Sequence, residues 1–236
     1  MPQAPSHLTS FIAGAWQPFD ESRAIDRENP GRTSEIAGRW TPATAGDAQR
    51  AMDAAAAAFP VWSAVPLSER IALLNQLFAA VEAHADDFAA VITRENGKTL
   101  RDSLAEVAGS LRDSRHPVLE AARIGIVETI SAPGASVTSE QILEPLGVCL
   151  LITPWNFPLA TVLRKLAPAL LFGNPAIVKP SELTPATACL LFSLIESLPF
   201  PRGVAQLVLG TGAEVGPALV DHPALRAISF TGSNAT

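Results

Sequence analysis

The C-terminal part of the chain alternates short apolar runs with longer helical patterns, and this alternation restricts the possible folds more than any other feature. Apolar, β-branched runs predict strands, and apolar residues that recur at helical spacing predict helices. The predicted strands cover residues 148–152, 176–178, 204–209 and 227–230, and the predicted helices cover 159–171, 185–197 and 213–220. Such an alternation predicts the α/β fold class, with a parallel, right-handed sheet and helices on its faces.

The N-terminal half is predicted to be mainly helical. A short hairpin is expected to turn at Ala13-Gly14, and the next turn is expected at residues 29–31. An alanine-rich helix follows at 46–59, with Pro60 as its expected end, and further helices begin at Leu67 and end at Asn96-Gly97. The helical pattern over 100–124 is predicted to break near Pro117, and residues 126–145 predict a projecting β-hairpin.

Composition excludes several classes of partner. The chain has 236 residues, 48% hydrophobic and 17% charged, with a formal net charge of −6. This balance favours a globular protein and argues against nucleic acid or an anionic membrane as the main partner. Its two cysteines, Cys149 and Cys189, lack metal-ligand or redox spacing, so buried free thiols in a reducing compartment are expected. Residues 1–10 lack the pattern of a signal peptide, and we therefore expect a cytoplasmic protein.

Polar residues follow the ends of the predicted strands. Asn156 lies between Pro154 and Pro158 just after the strand at 148–152, where an amide could donate to an oxygen of a bound molecule. Prolines flanking an asparagine are also common in simple turns, and both interpretations stay open. Lys179 and Glu182 follow the next strand, where they could bind a ribose or form a solvated surface pair.

A glycine-rich segment, residues 210–216, follows a predicted strand and opens a predicted helix. Its third glycine comes one residue too late for the dinucleotide pattern G-x-G-x-x-G, so a simple strand-to-helix turn explains it equally well. The segment 230–233, Phe-Thr-Gly-Ser, also ends a strand, and its amides and hydroxyls could hold a pyrophosphate. In a parallel sheet these strand ends meet at one edge.

Together these motifs resemble the NAD(P)-dependent aldehyde dehydrogenase superfamily. Residues 154–158 are similar to the family's P-W-N-[FY]-P motif, 179–182 to K-P-S-E, and 230–233 to F-T-G-S. The spacing also matches, with 23 residues between Asn156 and Lys179 (179 − 156). Residues 11–16 resemble the family's opening segment, and 95–100 resemble its E-x-G-K segment, so the resemblance covers nearly the whole chain.

The resemblance implies a role for most of the residues at the strand ends. Asn156 would be the oxyanion-hole amide that stabilises the adduct between a cysteine thiolate and an aldehyde, and Lys165 would match a lysine credited with a relay role. The cofactor-binding positions would be Thr153, Pro154 and Trp155 beside the cofactor, Lys179, Ser181 and Glu182 at the adenosine ribose, Gly212 and Ala213 at the adenine half, and Gly232 and Ser233 at the pyrophosphate.

The resemblance also implies parts that this sequence does not contain. The family's general-base glutamate and nucleophilic cysteine lie after F-T-G-S, and neither Cys149 nor Cys189 matches the nucleophile. Residues 234–236 replace a glycine that usually opens the next helix, and Arg164 stands where the family often has tryptophan. We therefore expect an incomplete aldehyde dehydrogenase fold without its catalytic domain, and a truncated chain that is inactive alone.

The expected organisation is a partial, Rossmann-like NAD(P)-binding domain (residues 1–125 and 146–236) interrupted by an oligomerisation hairpin (126–145). The intact family member would oxidise a small-molecule aldehyde to a carboxylic acid and would form a homo-oligomer. The alternative is a non-catalytic module that binds a dinucleotide or pairs with a full-length relative. NAD is favoured because Glu182 would repel a 2′-phosphate, whereas Lys179 and Ser181 leave NADP open.

Overall fold

The computed structural model describes residues 7–124, 127–130, 134 and 137–233 of the chain. Its strands are β1 (His7–Leu8), β2 (Phe11–Ile12), β3 (Ala15–Trp16), β4 (Ile25–Asn29), β5 (Arg32–Trp40), β6 (Val127–Ile130), β7 (Ser139–Ile142), β8 (Val148–Ile152), β9 (Ala176–Lys179), β10 (Ala205–Leu207) and β11 (Leu225–Phe230). Its α-helices are α1 (Ala45–Ser63), α2 (Leu67–Ala83), α3 (Ala85–Asn96), α4 (Leu100–Ile124), α5 (Ala160–Leu171), α6 (Pro185–Ser197) and α7 (Gly212–Val220). Strands alternate with helices from β8 onward, so the predicted α/β fold class is confirmed.

A six-stranded sheet in the order β11-β8-β9-β10-β2-β3 forms the centre of the fold. Strands β11, β8, β9 and β10 run parallel, as predicted, while β2 is antiparallel to β10 and to β3. The sequence predicts the β2–β3 hairpin but not its place in this sheet. The residues that pair, Phe11 and Leu207, lie too far apart along the chain for a local pattern to connect them.

The parallel strands bury side chains on both faces of the sheet, which explains their almost continuous apolar sequences. On β8, Val148 and Leu150 pack into one hydrophobic cluster with residues of α1 and α7. Cys149 and Leu151 point the other way and belong to the cluster that includes residues of α2, α5 and α6. Full burial of a leucine such as Leu150 contributes about 1.5–3 kcal/mol to the stability of this layered core.

The β2–β3 hairpin turns at the predicted dipeptide. Ala13 and Gly14 both have positive φ angles, 53° and 77°, as a two-residue turn of the primed type requires. The N–H of Ala13 donates to Oε1 of Gln206 at 2.7 Å, which fastens the turn to β10. The predicted hairpin is therefore confirmed.

Two helices continue through prolines at which the sequence predicts an end or a break. Helix α1 includes Pro60 and ends at Ser63, because the fully buried Trp62 holds its last turn and donates from Nε1 to the carbonyl of Leu170 at 3.1 Å. Helix α4 likewise contains Pro117. Its buried residues Val107, Leu111, Val118 and Ala121 keep one face apolar across the proline. The predicted end at Pro60 and the predicted break at Pro117 were wrong because tertiary packing outweighs the lost hydrogen bond.

A second sheet, in the order β1-β5-β4, was not predicted. The turn expected at residues 29–31 does connect β4 to β5, but the pairing of these two strands shifts register twice. Most of their side chains are exposed or half-buried, and charged residues such as Arg27 and Glu28 interrupt the alternation of apolar and polar positions. The pattern that reveals a half-buried strand in a sequence is therefore weak here.

The strands of the predicted hairpin pair antiparallel, with Val127 opposite Ile142 and Ile130 opposite Ser139. Residue 126 and most of the connection between these strands lie outside the described residues, as do residues 1–6 and 234–236. None of the helices in the part of the chain that the structure describes is both long enough and apolar enough to span a membrane.

Candidate functional site

Three strand ends that carry polar residues lie side by side. Ile152 at the end of β8 pairs with Lys179 at the end of β9 on one side and with Phe230 at the end of β11 on the other. Because these strands are parallel, the segments that follow them leave the sheet at the same edge. The predicted convergence of the strand ends is confirmed.

A cleft of about 660 Å³ opens at this edge, and we call it the strand-end cleft. Its walls are Ile152, Thr153, Pro154, Trp155, Lys179, Ser181, Glu182, Leu183, Gly212, Ala213, Gly216, Phe230, Thr231, Gly232 and Ser233. Every residue predicted to bind a cofactor is in this wall. The two predicted catalytic residues, Asn156 and Lys165, are not.

Lys179 lies inside the wall of the cleft rather than on the surface. It is 5% exposed, its Nζ donates to the carbonyl of Pro180 at 3.0 Å, and burial lowers its pKa although the nearby Glu182 raises it. The Nζ atom is 3.7 Å from Oε2 of Glu182, whose side chain is exposed. This geometry contradicts the alternative of a solvated surface pair, because one partner is buried and the other extends into the opening.

The glycine-rich segment fits both a tight turn and a wall of the cleft. A Cβ on Gly210 would lie 2.6 Å from Cγ1 of Val215, so this glycine allows the segment after β10 to pass close to α7. A Cβ on Gly212 would meet nothing within 4 Å, which leaves the backbone there open to a bound molecule. The hydroxyl of Thr211 accepts from the N–H of Glu214 and caps α7.

Gly232 leaves a space beside the ring of Phe230. A Cβ at this position would lie 2.4 Å from Cζ of Phe230, so a larger residue would have to displace the ring. Both residues are in the wall of the strand-end cleft. The requirement for glycine here comes from close approach and not from a positive φ angle.

A buried hydroxyl beside the cleft has no hydrogen-bond partner in the part of the chain that the structure describes. Thr153 is 3% exposed, and its N–H donates to the carbonyl of Lys179 at 3.1 Å. Its Oγ1 atom makes no hydrogen bond to any described residue. An unpaired buried hydroxyl costs free energy, so a polar group of a bound molecule would be stabilised at this position.

Two helices that begin near this edge have their first amides occupied by carboxylates from earlier helices. Glu106 of α4 accepts from the N–H groups of Leu159 and Ala160, at 3.0 and 3.2 Å, at the start of α5. Glu95 of α3 accepts from the N–H of Ala186 at 2.7 Å and from the N–H and hydroxyl of Thr187 at the start of α6. Anions favour such helix ends, and in this protein both ends are taken by its own side chains.

The sequence did not single out Glu95 or Glu106 as functional residues. A capping carboxylate usually comes from the first turn of its own helix, whereas Glu95 is 91 residues before its partner Ala186. Burial raises the pKa of Glu95 to about 7, although its hydrogen bonds to Thr187 and Ala186 lower it.

The segment between β8 and α5, residues 153–159, is called the Trp155 loop. Asn156 is exposed and lies outside the wall of the cleft, next to Trp155, which is 52% exposed and forms part of that wall. The backbone carbonyl of Asn156 accepts from Nζ of Lys98 at 2.6 Å, and that of Trp155 accepts from Nδ2 of Asn96 at 2.8 Å. The loop is therefore fastened to the connection between α3 and α4.

Lys165 lies on α5, away from the cleft. Its Nζ donates to Oγ of Ser229 on β11 at 2.9 Å, and burial lowers its pKa. The structure thus links Lys165 to the strand whose end borders the cleft, and among the described residues no hydrogen bond joins its amine to Asn156.

Both cysteines are free and buried. Cys149 lies at the start of β8, at the opposite end of the strand from Thr153, and Cys189 lies inside α6. Burial raises the pKa of both thiols, so neither is readily ionised.

Comparisons with known proteins identify similar sequences and folds. A model of the aldehyde dehydrogenase family matches residues 16–236. The 3-sulfolactaldehyde dehydrogenase of Pseudomonas putida is 36% identical over 224 residues, which are 95% of this chain and 46% of the relative. The D-glyceraldehyde dehydrogenase (NADP(+)) of Picrophilus torridus is 34% identical over 226 residues, which are 96% of this chain and 45% of the relative.

A solved structure gives the same result for the fold. Betaine aldehyde dehydrogenase from Staphylococcus aureus, in complex with NAD+, superposes with a TM-score of 0.89 at 32% identity. The match covers 98% of this chain and 46% of that chain. The chain thus spans somewhat less than half the length of the relatives it matches.

Proposed function

The chain belongs to the aldehyde dehydrogenase family, and we propose that it supplies the cofactor cleft and one oxyanion donor of an enzyme that oxidises an aldehyde to a carboxylic acid. The observation that carries this proposal is the strand-end cleft, whose wall contains all the predicted cofactor-binding residues. The unpaired hydroxyl of Thr153 and the open backbone at Gly212 support a fit to a polar, extended ligand such as a dinucleotide.

NAD is the proposed cofactor, with NADP as the second choice. Glu182 reaches into the opening of the cleft, where its carboxylate would accept from the 2′- and 3′-hydroxyls of a ribose and repel a 2′-phosphate. The Staphylococcus aureus relative holds NAD+, whereas the Picrophilus torridus relative carries NADP(+) in its name. Lys179 and Ser181 in the same wall are the groups that would accept a phosphate if Glu182 were absent.

Gly212 and Ala213 would lie against the adenine half of the cofactor, and Gly232 and Ser233 would approach the pyrophosphate. The occupied ends of α5 and α6 support this assignment, because their amides already bind Glu106 and Glu95. The phosphates would then be held by the segment after β11.

The chemical contribution of this chain is orientation and charge stabilisation. The nicotinamide, when bound, supplies the acceptor for a hydride. Thr153, Pro154 and Trp155 would exclude water beside it, and the side-chain amide of Asn156 would donate to the aldehyde oxygen as negative charge develops there. Loss of one such donor typically costs about 2.7–4 kcal/mol of transition-state stabilisation. Lys165, with its lowered pKa, would act as a relay group behind β11.

We further propose the division into a partial NAD(P)-binding domain (residues 1–125 and 146–236) and an oligomerisation hairpin (126–145). Exposed apolar side chains on the β6–β7 pair, namely Val127, Ile130 and Ile142, support contact with another subunit in a homo-oligomer. The free, buried thiols support a reducing compartment such as the cytoplasm.

The 236 residues alone are proposed to bind the cofactor without oxidising aldehydes. Burial raises the pKa of both thiols, and neither thiol lies in the Trp155 loop, so neither is suited to be the nucleophile. Calorimetric titration of the purified chain with NAD tests the first half, and NADH absorbance after addition of an aldehyde tests the second. Failure to bind NAD or NADP would refute the cofactor assignment, and NADH formation would refute the inactivity.

A further inference from the structure

Three side chains outside the Trp155 loop determine the course of its backbone. Asn96, the last residue of α3, donates from Nδ2 to the carbonyl of Trp155 at 2.8 Å. Lys98, two residues later, donates from Nζ to the carbonyl of Asn156 at 2.6 Å. Both hydrogen bonds are made to backbone carbonyls of the loop, so the side-chain amide of Asn156 takes no part in them.

Lys98 is in turn held from two sides. Its Nζ lies 3.9 Å from the centroid of the Phe157 ring, within the range of a cation–π interaction. The same ammonium forms an ion pair with Oε2 of Glu106, whose side chain is only 1% exposed. Lys98 itself is 19% exposed, so this pair is largely removed from water and is weakly screened by salt.

Glu106 connects this ammonium to the helix that follows the loop. While Oε2 is paired with Lys98, Oε1 accepts from the N–H groups of Leu159 and Ala160. The loop is therefore fixed at both ends, at its carbonyls by Asn96 and Lys98 and at its final amides by Glu106. A buried carboxylate with this many partners has little freedom to move.

We propose that Lys98 is a positioning residue that, supported by Glu106, sets the location of the Asn156 side-chain amide beside the strand-end cleft. The proposal rests on the proposed role of Asn156 as oxyanion donor. Lys98 does not touch the reacting atoms. It acts by fixing the peptide group on which the amide is carried, and preorganised donors are the ones that stabilise developing charge.

The competing explanation is that Lys98 only neutralises a buried carboxylate and contributes to stability. These explanations differ in what a change of Lys98 does to Asn156. If Lys98 only neutralises Glu106, Lys98→Met lowers the melting temperature but leaves the environment of Asn156 unchanged. If it positions the loop, the side-chain amide of Asn156 changes its environment, and Lys98→Arg restores it because a guanidinium can still donate to both partners.

The test uses the ¹⁵N-labelled 236-residue protein and requires neither aldehyde nor cofactor. In Lys98→Met we expect the side-chain amide resonances of Asn156 to shift and the N–H groups of Leu159 and Ala160 to exchange with solvent at least ~10-fold faster. Lys98→Arg should recover at least half of both effects. Arg101→Met removes an equal charge from an exposed position on α4 and should leave these signals unchanged.

Unchanged Asn156 resonances in Lys98→Met, or no recovery in Lys98→Arg, would overturn the proposal. If Lys98→Met does not fold, the double variant Lys98→Met/Glu106→Gln decides the matter, since it leaves no buried carboxylate to neutralise and still lacks the bond to the carbonyl of Asn156. We expect the side-chain amide resonances of Asn156 to shift relative to Glu106→Gln alone, and no shift would count against the proposal. Absence of NAD binding would refute the proposed function alone, because these measurements do not use NAD.

Discussion

At the scale of single residues, the site is built from pairs in which a less exposed residue contacts a more exposed one. Lys179 is buried and Glu182 exposed, and Nζ of the lysine lies 3.7 Å from the carboxylate. Lys98 is likewise less exposed than Asn156, and its Nζ donates a hydrogen bond to the backbone carbonyl of Asn156. In each case the outer residue carries the proposed chemistry and the inner residue limits its range of positions.

Substitution of Glu182 should separate the two cofactors. We predict that Glu182→Ala weakens NAD binding roughly 10- to 150-fold, because a charge-assisted hydrogen bond of roughly 1.5–3 kcal/mol to the ribose is lost. NADP binding should strengthen, since Lys179 would meet the 2′-phosphate without an opposing carboxylate. Calorimetric titration with both cofactors measures this change, with Glu69→Ala on the exposed surface of α2 as the control. Equal losses for NAD and NADP would contradict the assignment.

Glu95 predicts a pH dependence of stability. Burial raises its pKa to about 7, above its ordinary value of 4.5, so the folded protein keeps a proton that the unfolded chain releases. Its contribution to the free energy of unfolding is thus fully present below pH 4.5, falls by up to about 3 kcal/mol as the pH rises to about 7, and then stays constant.

Chemical denaturation between pH 4.5 and 8 measures this effect. The parent protein should lose more stability over that range than Glu95→Gln, whose amide does not titrate. Glu69→Gln, at an exposed position, should follow the parent. The same pH dependence in the parent and in Glu95→Gln would show that burial does not perturb this carboxyl.

The sequence sufficed to predict that the strand ends meet at one edge, because parallel strands bring their carboxyl ends together regardless of what lies between them, and the resemblance to the family supplied the individual cofactor-binding positions. It did not suffice for Glu95, Glu106 or the role of Lys98. Each of these acts on a partner that is more than fifty residues away, for example Lys98 on Asn156, and no local pattern encodes such a contact. Glu95 and Lys98 lie in the segment that resembles the family's E-x-G-K, but the resemblance did not indicate which residues they contact.

At the scale of the elements, the connections between helices are better specified by the sequence than the lengths of the helices. The end of α3 at Gly97 is as predicted, with a left-handed φ of 86°. The end predicted at Pro60 and the break predicted at Pro117 were wrong because Trp62 and Val118 pack into the core beyond each proline. Strands β4 and β5 were missed because charged residues obscure their alternation.

Two glycine substitutions test the difference between a helix end that requires glycine and a helix interior that does not. Gly97→Ala should destabilise the fold by about 1 kcal/mol or more, because its φ is positive and a Cβ would lie 3.0 Å from Cγ of Pro30. Gly109→Ala, inside α4, should stabilise it by about 0.5–1 kcal/mol, since a Cβ there has only an ordinary contact with Arg112 at 3.6 Å. Denaturant titration of both variants measures the difference, and changes of the same sign would refute the argument.

At the scale of the whole molecule, the sheet has one edge that is apolar. The comparisons confirm the family that the motifs predicted. Strand β11 carries the last of these motifs, and among the described strands it pairs only with β8. Ile228 and Phe230 on this strand are 47% and 46% exposed. An unpaired strand edge with apolar side chains favours pairing with another chain.

We therefore predict that the 236-residue chain self-associates, with a larger sedimentation coefficient at higher concentration. Ile228→Lys should reduce the association without unfolding the protein, because the side chain is already half exposed. Val61→Lys, an equivalent change at an exposed position of α1, should have no effect. A parent protein that sediments as a single monomer at all concentrations would contradict the prediction.

The place of the β2–β3 hairpin in the sheet has a consequence for the newly made chain. Phe11 pairs with Leu207, and the turn at Ala13 is bound to Gln206, 193 residues later. At a synthesis rate of about 5–20 residues per second, roughly 10–40 s pass before the ribosome supplies that partner. During this time Phe11 and Ile12, almost fully buried in the finished fold, can pair only with the neighbouring strand β3, and a chaperone that recognises short apolar segments would have its best opportunity to bind.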